Sequence, residues 1–465
     1  MFKKRRRHGF QGVIKVALAA SLVWGGFEAY QKIFVFNPEN ILEKSELKNN
    51  KFNVEVKDVT SPRNHLKAYL FEEKTNPIIS VSFIFKNAGL ASDDKGKVGV
   101  SNMVASLLTY GAGELDVSAF HDELENNAIS LSFDVNKDDF VGSLLTTKEN
   151  ASKAFDLLKK VLMNARFDRD NIEHVRRRML MALQQQSEQP ENLLGLAFAD
   201  ALFENHPYAR NPLGAKKDIE SLTQADLKEF VKRHFSQGNL VVGIAGDISQ
   251  EEAETMLDDV FGDLPQSGSI NFVRPAEVNF AFGRKDIETD SAQNISRFAS
   301  LGVERLNPDF YPLYVANYIF GGSGLSSRLN VMAREKQGLT YGVYSYLDLA
   351  DKASMIVGGF SSTPENFDKV IEIVQGEWLK FAEKGISEKE LEDAKNYLIS
   401  SYNLRFASIA DLADIMAYMQ KDNLGIDFLQ KRNSYIENVR LDDVNRVIKK
   451  YFNKDKLVFV NVGKF

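Results

Sequence analysis

The stretch Ala225-Asp-Leu-Lys-Glu-Phe-Val-Lys-Arg-His-Phe235, followed by the apolar run Leu240-Val-Val-Gly-Ile-Ala-Gly246, returns later in the chain in similar form. Its counterpart is Asp442-Asp-Val-Asn-Arg-Val-Ile-Lys-Lys-Tyr-Phe452, followed by Leu457-Val-Phe-Val-Asn-Val-Gly463. The phenylalanine, leucine and glycine landmarks are all displaced by 217 positions. Further upstream, Glu149-Asn150 returns at Glu365-Asn366 with an offset of 216. Two distant landmarks at nearly one offset indicate an internal repeat of helices and strands rather than two unrelated units.

The repeat determines the predicted fold class and domain organisation. Alternating stretches such as Ile78–Phe85 predict strands, and they stand among helical patterns. We therefore predict an α+β protein with two homologous lobes, each a mainly antiparallel sheet covered by helices. Prolines and a Ser-Gly-Ser segment interrupt the pattern after residue 262, which places the first lobe at residues 50–265 and the second at residues 275–465.

Composition restricts the class of protein. The chain has 465 residues, of which 44% are hydrophobic and 26% charged, as in soluble globular proteins. Residues 1–30 carry six basic residues and one acidic residue, a charge of +5, so the net charge of −6 leaves −11 for the remainder. This acidic body argues against nucleic acid as a partner. The absence of cysteine excludes disulfides, thiolate catalysis and cysteine metal sites.

The N-terminus resembles an export signal. A basic run, Lys3 to Arg7, precedes an apolar stretch at residues 16–27, which predicts a signal peptide or an uncleaved signal anchor within residues 1–30. Either outcome carries the acidic body across the membrane, so we expect a periplasmic protein or one anchored facing the periplasm, with membrane contact only through this segment. The alternative is a basic tail on a buried helix.

The sharpest local motif lies in the second repeat. It reads Phe320-Gly-Gly-Ser-Gly-Leu-Ser-Ser-Arg-Leu329, followed by Ala333-Arg-Glu-Lys-Gln-Gly-Leu-Thr-Tyr341. The glycines do not form a phosphate-binding loop of the Walker type, because no Gly-Lys-Ser/Thr follows them. A glycine turn before a helix is the simpler interpretation.

This motif resembles the second-domain signature of the M16 metallopeptidases, the insulinase and mitochondrial processing peptidase superfamily. In that family an arginine and a tyrosine seven residues apart reach the substrate at the zinc site, and Arg334 and Tyr341 have this spacing. Two first-lobe segments, His206–Gly214 and Asn239–Asp247, also match the family, and the resemblance extends over about residues 50–465. It implies the short-subunit type, in which two lobes enclose a central cavity together with a partner subunit.

The zinc motif of the family is absent from this chain. The family places an inverted His-x-x-Glu-His on an early helix, where the two histidines bind zinc and the glutamate activates water. Here the histidine positions are Asn102 and Ser106, and the general-base position is Ala105. At the distal ligand, the helix offers Met181 and Ala182 in place of an acidic residue. The resemblance therefore implies that this chain binds no metal and that zinc belongs only to a partner.

Other catalytic sites find no support in the sequence. None of the six histidines lies within a helical turn of another, which argues against a displaced zinc site. No Gly-x-Ser-x-Gly elbow is present, and Ser106 has no neighbouring base in sequence.

The resemblance implies a subunit that assists a zinc-bearing partner. Arg334 and Tyr341 would contact the scissile carbonyl of an unstructured peptide in the partner's site, and Gly321, Gly322 and Gly324 would line the substrate entrance. The simpler alternatives are a surface salt bridge of Arg334 with Glu335 or Asp348, and a half-buried strand position for Tyr341.

Two further functions remain open at this stage. One is a non-enzymatic scaffold or peptide-binding protein of the same fold. The other is a homodimeric chamber that binds exported peptides at a sheet edge without cleaving them.

Overall fold

The computed structural model describes residues 55–465 except residues 187, 323, 325 and 407, and describes no side chains at residues 403–405. The predicted signal or anchor at residues 1–30 lies outside this range. Among the described residues, no helix has both the length and the apolar character that crossing a membrane requires.

The strands and helices follow a similar order in the two halves of the chain. The strands are β1 Lys57–Thr60, β2 Lys67–Glu72, β3 Ile78–Phe85, β4 Ser130–Val135, β5 Phe140–Thr147, β6 Leu240–Gly246, β7 Arg284–Glu288, β8 Asn294–Leu301, β9 Val343–Ala350, β10 Ala353–Ser362 and β11 Val458–Gly463. The helices of the first half are α1 Val100–Leu107, α2 Val117–Asn126, α3 Ala151–Asn164, α4 Arg169–Gln186, α5 Pro190–Phe203, α6 Lys216–Ser221, α7 Gln224–His234 and α8 Gln250–Phe261. Those of the second half are α9 Phe310–Gly321, α10 Arg328–Asn330, α11 Pro364–Lys384, α12 Glu388–Ser400, α13 Ile409–Lys421, α14 Phe428–Glu437 and α15 Leu441–Tyr451.

Both sheets have the same topology. The first sheet has the order β1-β2-β6-β3-β5-β4, and the second has the order β7-β11-β8-β10-β9. Each contains one parallel pair, β2 with β6 and β7 with β11, and its other pairs are antiparallel. When β7 is matched to β2, every following strand falls on its counterpart. The predicted fold class of two homologous lobes with mainly antiparallel sheets is confirmed.

The repeat extends to individual packing contacts. In the first sheet Phe83 lies directly opposite Gly142, and a Cβ on that glycine would be 2.1 Å from the phenylalanine ring. In the second sheet Phe298 lies opposite Gly358, and the corresponding distance is 2.0 Å. Only glycine leaves room for a phenylalanine ring on the neighbouring strand, and both lobes have this Phe–Gly pair at the equivalent position of the sheet.

Local sequence explains where several helices begin. The Thr223 side chain accepts a hydrogen bond from the Asp226 amide at the start of α7, and the Asp226 carboxylate accepts one from the Thr223 amide. Reciprocal capping boxes of this kind also begin α8 at Ser249 and α12 at Ser387. The helices then bury apolar stripes on the outer faces of the two sheets.

Each half of the chain also donates one helix to the sheet of the other half. From the first half, α5 packs Leu194 and Phe198 against Met355 and Val458 of the second sheet. From the second half, α13 packs Leu412, Ala413 and Met416 against the first sheet. The offset of 217 relates these two helices, so the exchange is itself part of the repeat.

A buried polar cluster joins the lobes beside these helices. The Lys421 ammonium, at the end of α13, lies 2.9 Å from a carboxylate oxygen of Asp139 and 2.9 Å from one of Asp351. The Tyr208 hydroxyl donates to Asp138 at 2.5 Å and accepts from the Lys352 amide at 3.0 Å. Burial raises the pKa of Asp139 to about 6, although Lys421 opposes that rise. The cluster therefore links both halves through groups that are mostly buried, with Asp351 at its exposed edge.

Candidate functional site

The positions of the missing zinc ligands lie on helix α1. Asn102 and Ser106 are both half-buried and stand one turn apart, so they share a face of the helix, while Ala105 is buried. The Asn102 amide donates a hydrogen bond to the Pro212 carbonyl at 3.0 Å. The chain thus keeps the helix and the one-turn spacing of the motif but carries an amide and a hydroxyl on it.

Helix α4 supplies the distal position. Its buried residues Ile172, Val175 and Met179 form one stripe, and Ala182 continues that stripe one turn later. Met181 lies off the stripe with 57% of its surface exposed, so Ala182 is the counterpart of the distal ligand. At the end of α4 the Gln186 side chain accepts a hydrogen bond from Asn211 at 2.6 Å.

These residues do not fit a zinc ion. Structural and catalytic zinc sites use imidazole, thiolate or carboxylate ligands, and the four positions offer an amide, a hydroxyl and two methyl groups. Among the residues that the structure describes, no three histidine, aspartate or glutamate side chains are grouped to bind a metal.

Several histidines are engaged elsewhere. His206 Nε2 is 2.8 Å from the Arg274 carbonyl, and its Nδ1 accepts from the Tyr208 amide. His234 is buried against Phe230, and burial lowers the pKa of its imidazole. His121 is exposed with its Nε2 3.2 Å from the Thr109 carbonyl.

The start of α1 is fixed without a metal. The buried Asp93 carboxylate accepts hydrogen bonds from the amides of Gly99 at 2.7 Å and Ser101 at 3.2 Å. Arg210 donates to the Asp93 carbonyl at 2.7 Å, which joins the loop of residues 206–214 to the same point. Burial raises the pKa of Asp93 to about 7, against the opposing effect of these hydrogen bonds. The helix that would have carried zinc is therefore held by its own capping contacts.

Arg334 lies in a different kind of helical turn. After α10, residues Val331–Glu335 form a π-helical turn, closed by a hydrogen bond from the Lys336 amide to the Val331 carbonyl at 3.0 Å. Such turns are frequent at functional sites. Ala333 is fully buried while the neighbouring Arg334 is exposed.

The salt-bridge alternative for Arg334 is wrong in this structure. Asp348 pairs instead with Lys137 of the first lobe at 3.6 Å. Within the described part of the chain, the Arg334 guanidinium makes neither an ion pair with Glu335 nor any other hydrogen bond or salt bridge. Its charge is free to face solvent or a bound partner.

Tyr341 is more exposed than the simpler alternative requires. It lies just before β9, and 84% of its surface is accessible, so it is not a half-buried strand residue. The backbone on its N-terminal side is fixed: the Thr340 hydroxyl donates to the Ser361 carbonyl at 2.7 Å, and the Ser362 hydroxyl donates to the Leu339 carbonyl at 2.5 Å. An exposed phenol thus stands on an anchored backbone.

The three glycines of the second-lobe motif differ in their surroundings. A Cβ on Gly321 would be 2.4 Å from the Ser345 hydroxyl, and one on Gly322 would be 2.6 Å from the Cα of Tyr318. Gly324 has open space around it but a φ of 128°, which side chains rarely adopt. The first two glycines allow close packing, and the third allows an unusual backbone conformation at the surface.

Sequence reasoning missed the buried asparagines that organise this region. Asn330 and Asn317 are nearly inaccessible, and each bonds to the start of β9, at Val343 and Ser345 respectively. The capping pattern of Ser327 followed three residues later by Asn330 was the available signal. The Ser327 side chain does cap α10 in the structure.

The family comparisons agree with this geometry. Residues 41–216 match the family model for insulinase, peptidase family M16, and residues 221–398 match the model for the peptidase M16 inactive domain. Together the two models account for most of the chain. The chain belongs to the peptidase M16 family.

Individual relatives cover nearly the whole described fold. The non-peptidase homolog YmxG of Helicobacter pylori is 29% identical over 399 residues, which are 85% of this chain and 91% of that protein. The crystal structure of a peptidase M16 inactive domain from Pseudomonas fluorescens superposes with a TM-score of 0.82 and 28% identity, over 88% of this chain and 98% of the other. A protease structure from Helicobacter pylori shares the fold with a TM-score of 0.78 and 18% identity, over 88% of this chain and 100% of that one.

Proposed function

We propose that this chain is the subunit without zinc in a two-subunit M16 peptidase. In this role it forms part of the cavity wall and contributes Arg334 and Tyr341 to peptide cleavage in a partner that carries the His-x-x-Glu-His motif. The zinc and the general base belong to that partner. The substrates are unstructured peptides, which can enter a cavity that folded proteins cannot.

One observation carries the proposal. The zinc-motif positions of the first lobe carry no zinc-binding side chain, whereas the second lobe presents Arg334 exposed and Tyr341 exposed beside an anchored backbone. Tyr341 is 84% exposed, and the exposed Arg334 guanidinium makes no hydrogen bond or ion pair among the described residues, so both side chains are accessible to another molecule.

The chemistry of these two groups fits the proposed role. The guanidinium and the phenol are hydrogen-bond donors, and donors directed at the oxygen where charge develops stabilise the transition state of peptide hydrolysis. Loss of one such donor typically lowers the rate by about 10²–10³. The glycine loop at residues 321–324 would lie along the peptide's path, with Gly324 as its open point.

A second candidate function is a non-enzymatic peptide-binding or scaffold protein. The similarity to a protein described as a non-peptidase homolog favours it, since that relative matches 85% of this chain. Under this function Arg334 and Tyr341 would bind peptide without assisting its cleavage.

Peptidase assays on reconstituted mixtures distinguish these functions. The chain is assayed alone, then with a homologue that carries an intact zinc motif, against a library of unstructured fluorogenic peptides. We expect cleavage only by the mixture and a loss of about 10²-fold or more in kcat for Arg334→Ala. Tyr341→Phe should reduce kcat in the same direction. Glu335→Ala, an exposed change on the same turn, is the matched control and should leave the rate unchanged.

Three results would count against the proposal. Cleavage by the chain alone would contradict it outright. A mixture that forms a tight complex but cleaves nothing would favour the scaffold. Full activity in both Arg334→Ala and Tyr341→Phe would remove the assisting role from these residues.

The location of the protein is part of the proposal. The basic run and apolar stretch within residues 1–30 support export, with the body of the chain in the periplasm or anchored facing it. Fusion of residues 1–30 to an alkaline phosphatase that is active only after export tests this. An inactive fusion would refute it, and the mass of the purified native protein would show whether the segment is cleaved.

A further inference from the structure

The side chain of Asn330 connects two segments of the second lobe. Its Oδ1 accepts a hydrogen bond from the Val343 amide at 3.0 Å, and its Nδ2 donates to the Gly324 carbonyl at 3.0 Å. Nδ2 also lies 3.2 Å from the Ser327 hydroxyl. The residue is only 8% exposed, and its contacts with Val343 and Ser327 are buried, while the one with Gly324 is partly buried.

The two connected segments are the ones that would meet a peptide. Gly324 is the glycine of the motif that has open space around it, and Val343, two residues after Tyr341, begins strand β9. Asn330 itself lies immediately before the π-helical turn that carries Arg334. Among the hydrogen bonds of the described residues, those of Asn330 alone join Gly324 to Val343. Thr340 and Ser362 anchor only the Tyr341 side.

Substitution of Asn330 affects its two backbone partners, the Val343 amide and the Gly324 carbonyl, to different degrees. A buried amide that loses its partner is destabilised because no water replaces the bond. Removing the Asn330 side chain therefore leaves the buried Val343 amide unsatisfied, and it releases the half-exposed Gly324 carbonyl to water. Among the described residues, no other side chain hydrogen-bonds to both the Val343 amide and the Gly324 carbonyl.

We propose that Asn330 is a positioning residue that holds Gly324 and the Tyr341 segment in one arrangement. It acts through these segments and does not itself touch the peptide. The inference rests on the proposed function for its catalytic meaning, but its structural content can be tested on the chain alone.

Two substitutions separate the two contacts. Asn330→Asp keeps an oxygen for the Val343 amide but replaces the donor to Gly324 with a second oxygen. Asn330→Ala removes both contacts. Asn317→Ala is the matched control, because Asn317 is an equally buried asparagine whose side chain bonds to Ser345 and contacts neither Gly324 nor Val343. Its backbone bond to the Gly322 amide is kept in alanine.

Amide hydrogen exchange of the full chain, measured by mass spectrometry, is the first readout. In Asn330→Asp we expect exchange to become at least tenfold faster in residues 321–327 and to stay unchanged around Val343. In Asn330→Ala both segments should exchange at least tenfold faster. Rates within twofold of wild type in Asn330→Ala would overturn the proposal. Equal acceleration of the loop in Asn317→Ala would also overturn it, since general loss of stability would then explain the effect.

Kinetics with a zinc-motif partner provide the second readout. We expect Asn330→Asp to raise KM about tenfold with little change in kcat, because only the loop is released. Asn330→Ala should lower kcat as well, because the Tyr341 segment is released too. If Arg334→Ala and Tyr341→Phe leave the rate unchanged, the proposed function fails while the exchange experiment still decides the role of Asn330. If those variants lose activity and Asn330→Ala does not, the positioning role is refuted and the proposed function stands.

Discussion

Gly243, in the centre of β6, tests whether the exchanged helix α13 holds the lobes together. A Cβ at this position would lie 2.1 Å from the carbonyl oxygen of Ala413 and 2.4 Å from the amide nitrogen of Ala417. Both atoms belong to the backbone of α13, so no side-chain rotation can relieve the clash. Ordinary contact begins at 3.4 Å, and α13 must therefore move away by about 1.3 Å in Gly243→Ala.

That displacement has consequences beyond the clash. Gln420, at the end of α13, accepts a hydrogen bond from the Val242 amide at 2.8 Å, and Lys421 makes its ion pairs with both lobes from the next position. A shift of 1.3 Å stretches all of these contacts. Overpacking in a rigid core destabilises by about 1–3 kcal/mol, and we expect Gly243→Ala to lose about 3 kcal/mol because the obstructing atoms are main chain.

The control is the same substitution where space is available. Gly376, within α11, has no atom within 4 Å of its Cβ position, and alanine favours helices over glycine by about 1 kcal/mol. We therefore expect Gly376→Ala to stabilise the protein slightly and Gly243→Ala to destabilise it. Urea unfolding followed by circular dichroism measures both changes, and hydrogen exchange should show the loss of protection in β6 and α13. A Gly243→Ala protein as stable as wild type would refute the role assigned to this contact.

Three other predictions concern charges and the vacated zinc site. Burial raises the pKa of Asp258, but hydrogen bonds from residues 61–64 outweigh this effect and hold the pKa at about 2. Because this pKa is below the value in the unfolded chain, the stabilisation that Asp258 contributes is present above pH 4 and disappears towards pH 2. Asp258→Asn should therefore lose roughly 2 kcal/mol in urea unfolding at pH 7 and much less at pH 2, and equal losses at both would contradict this. Lys421→Ala leaves the buried Asp139 carboxylate and the exposed Asp351 without their counter-charge, and it should cost about 3–5 kcal/mol at pH 7. A melting curve within about 2 °C of wild type would exclude that loss. A zinc site should result from the combined change Asn102→His, Ser106→His and Ala182→Glu, and zinc at a hundredfold excess over Kd should then stabilise the folded protein by about 2.7 kcal/mol. In thermal unfolding, the wild type should respond to neither zinc nor chelator.

The repeat allowed most of the fold to be predicted from sequence. The helical patterns of the sequence predict helices from Gly99 to about Leu108, from Val117 to Asn127 and from Arg169 to Gln186. Helix α4 has the predicted bounds, α1 is one residue shorter at each end, and α2 is one residue shorter at its C-terminal end. Helix α5, Pro190–Phe203, was not predicted, although few of its residues are polar. Helical periodicity is visible only when one face meets water, and α5 has apolar residues all round because it packs between the first half and the second sheet.

The candidate site was also predictable only where it depends on local sequence. Motif spacing identified the α1 and α4 positions and the Arg334–Tyr341 pair, because a helix turn and a short loop are local geometry. The Ser327–Asn330 capping pattern was a signal for Asn330, but it did not reveal the contacts of that side chain with Gly324 and Val343. The Lys421 cluster could not be predicted, because Lys421 and Asp139 are 282 positions apart in sequence and meet only through the tertiary fold.

The contacts around α1 explain how a first lobe of this family can exist without zinc. A metal that binds only the folded state contributes to stability, and its loss must be tolerable for the fold to persist. Here Asp93 caps α1 through two backbone amides, and Asn102 ties the same helix to the loop at Pro212. The helix is thus fixed at its N-terminal end and on its ligand face by hydrogen bonds, so the ligand positions are free to vary. The backbone beside Tyr341 is anchored as well, but its side chain is 84% exposed. The contrast between zinc-motif positions without ligands and an exposed Arg334–Tyr341 pair is the physical reason to test the second lobe for function.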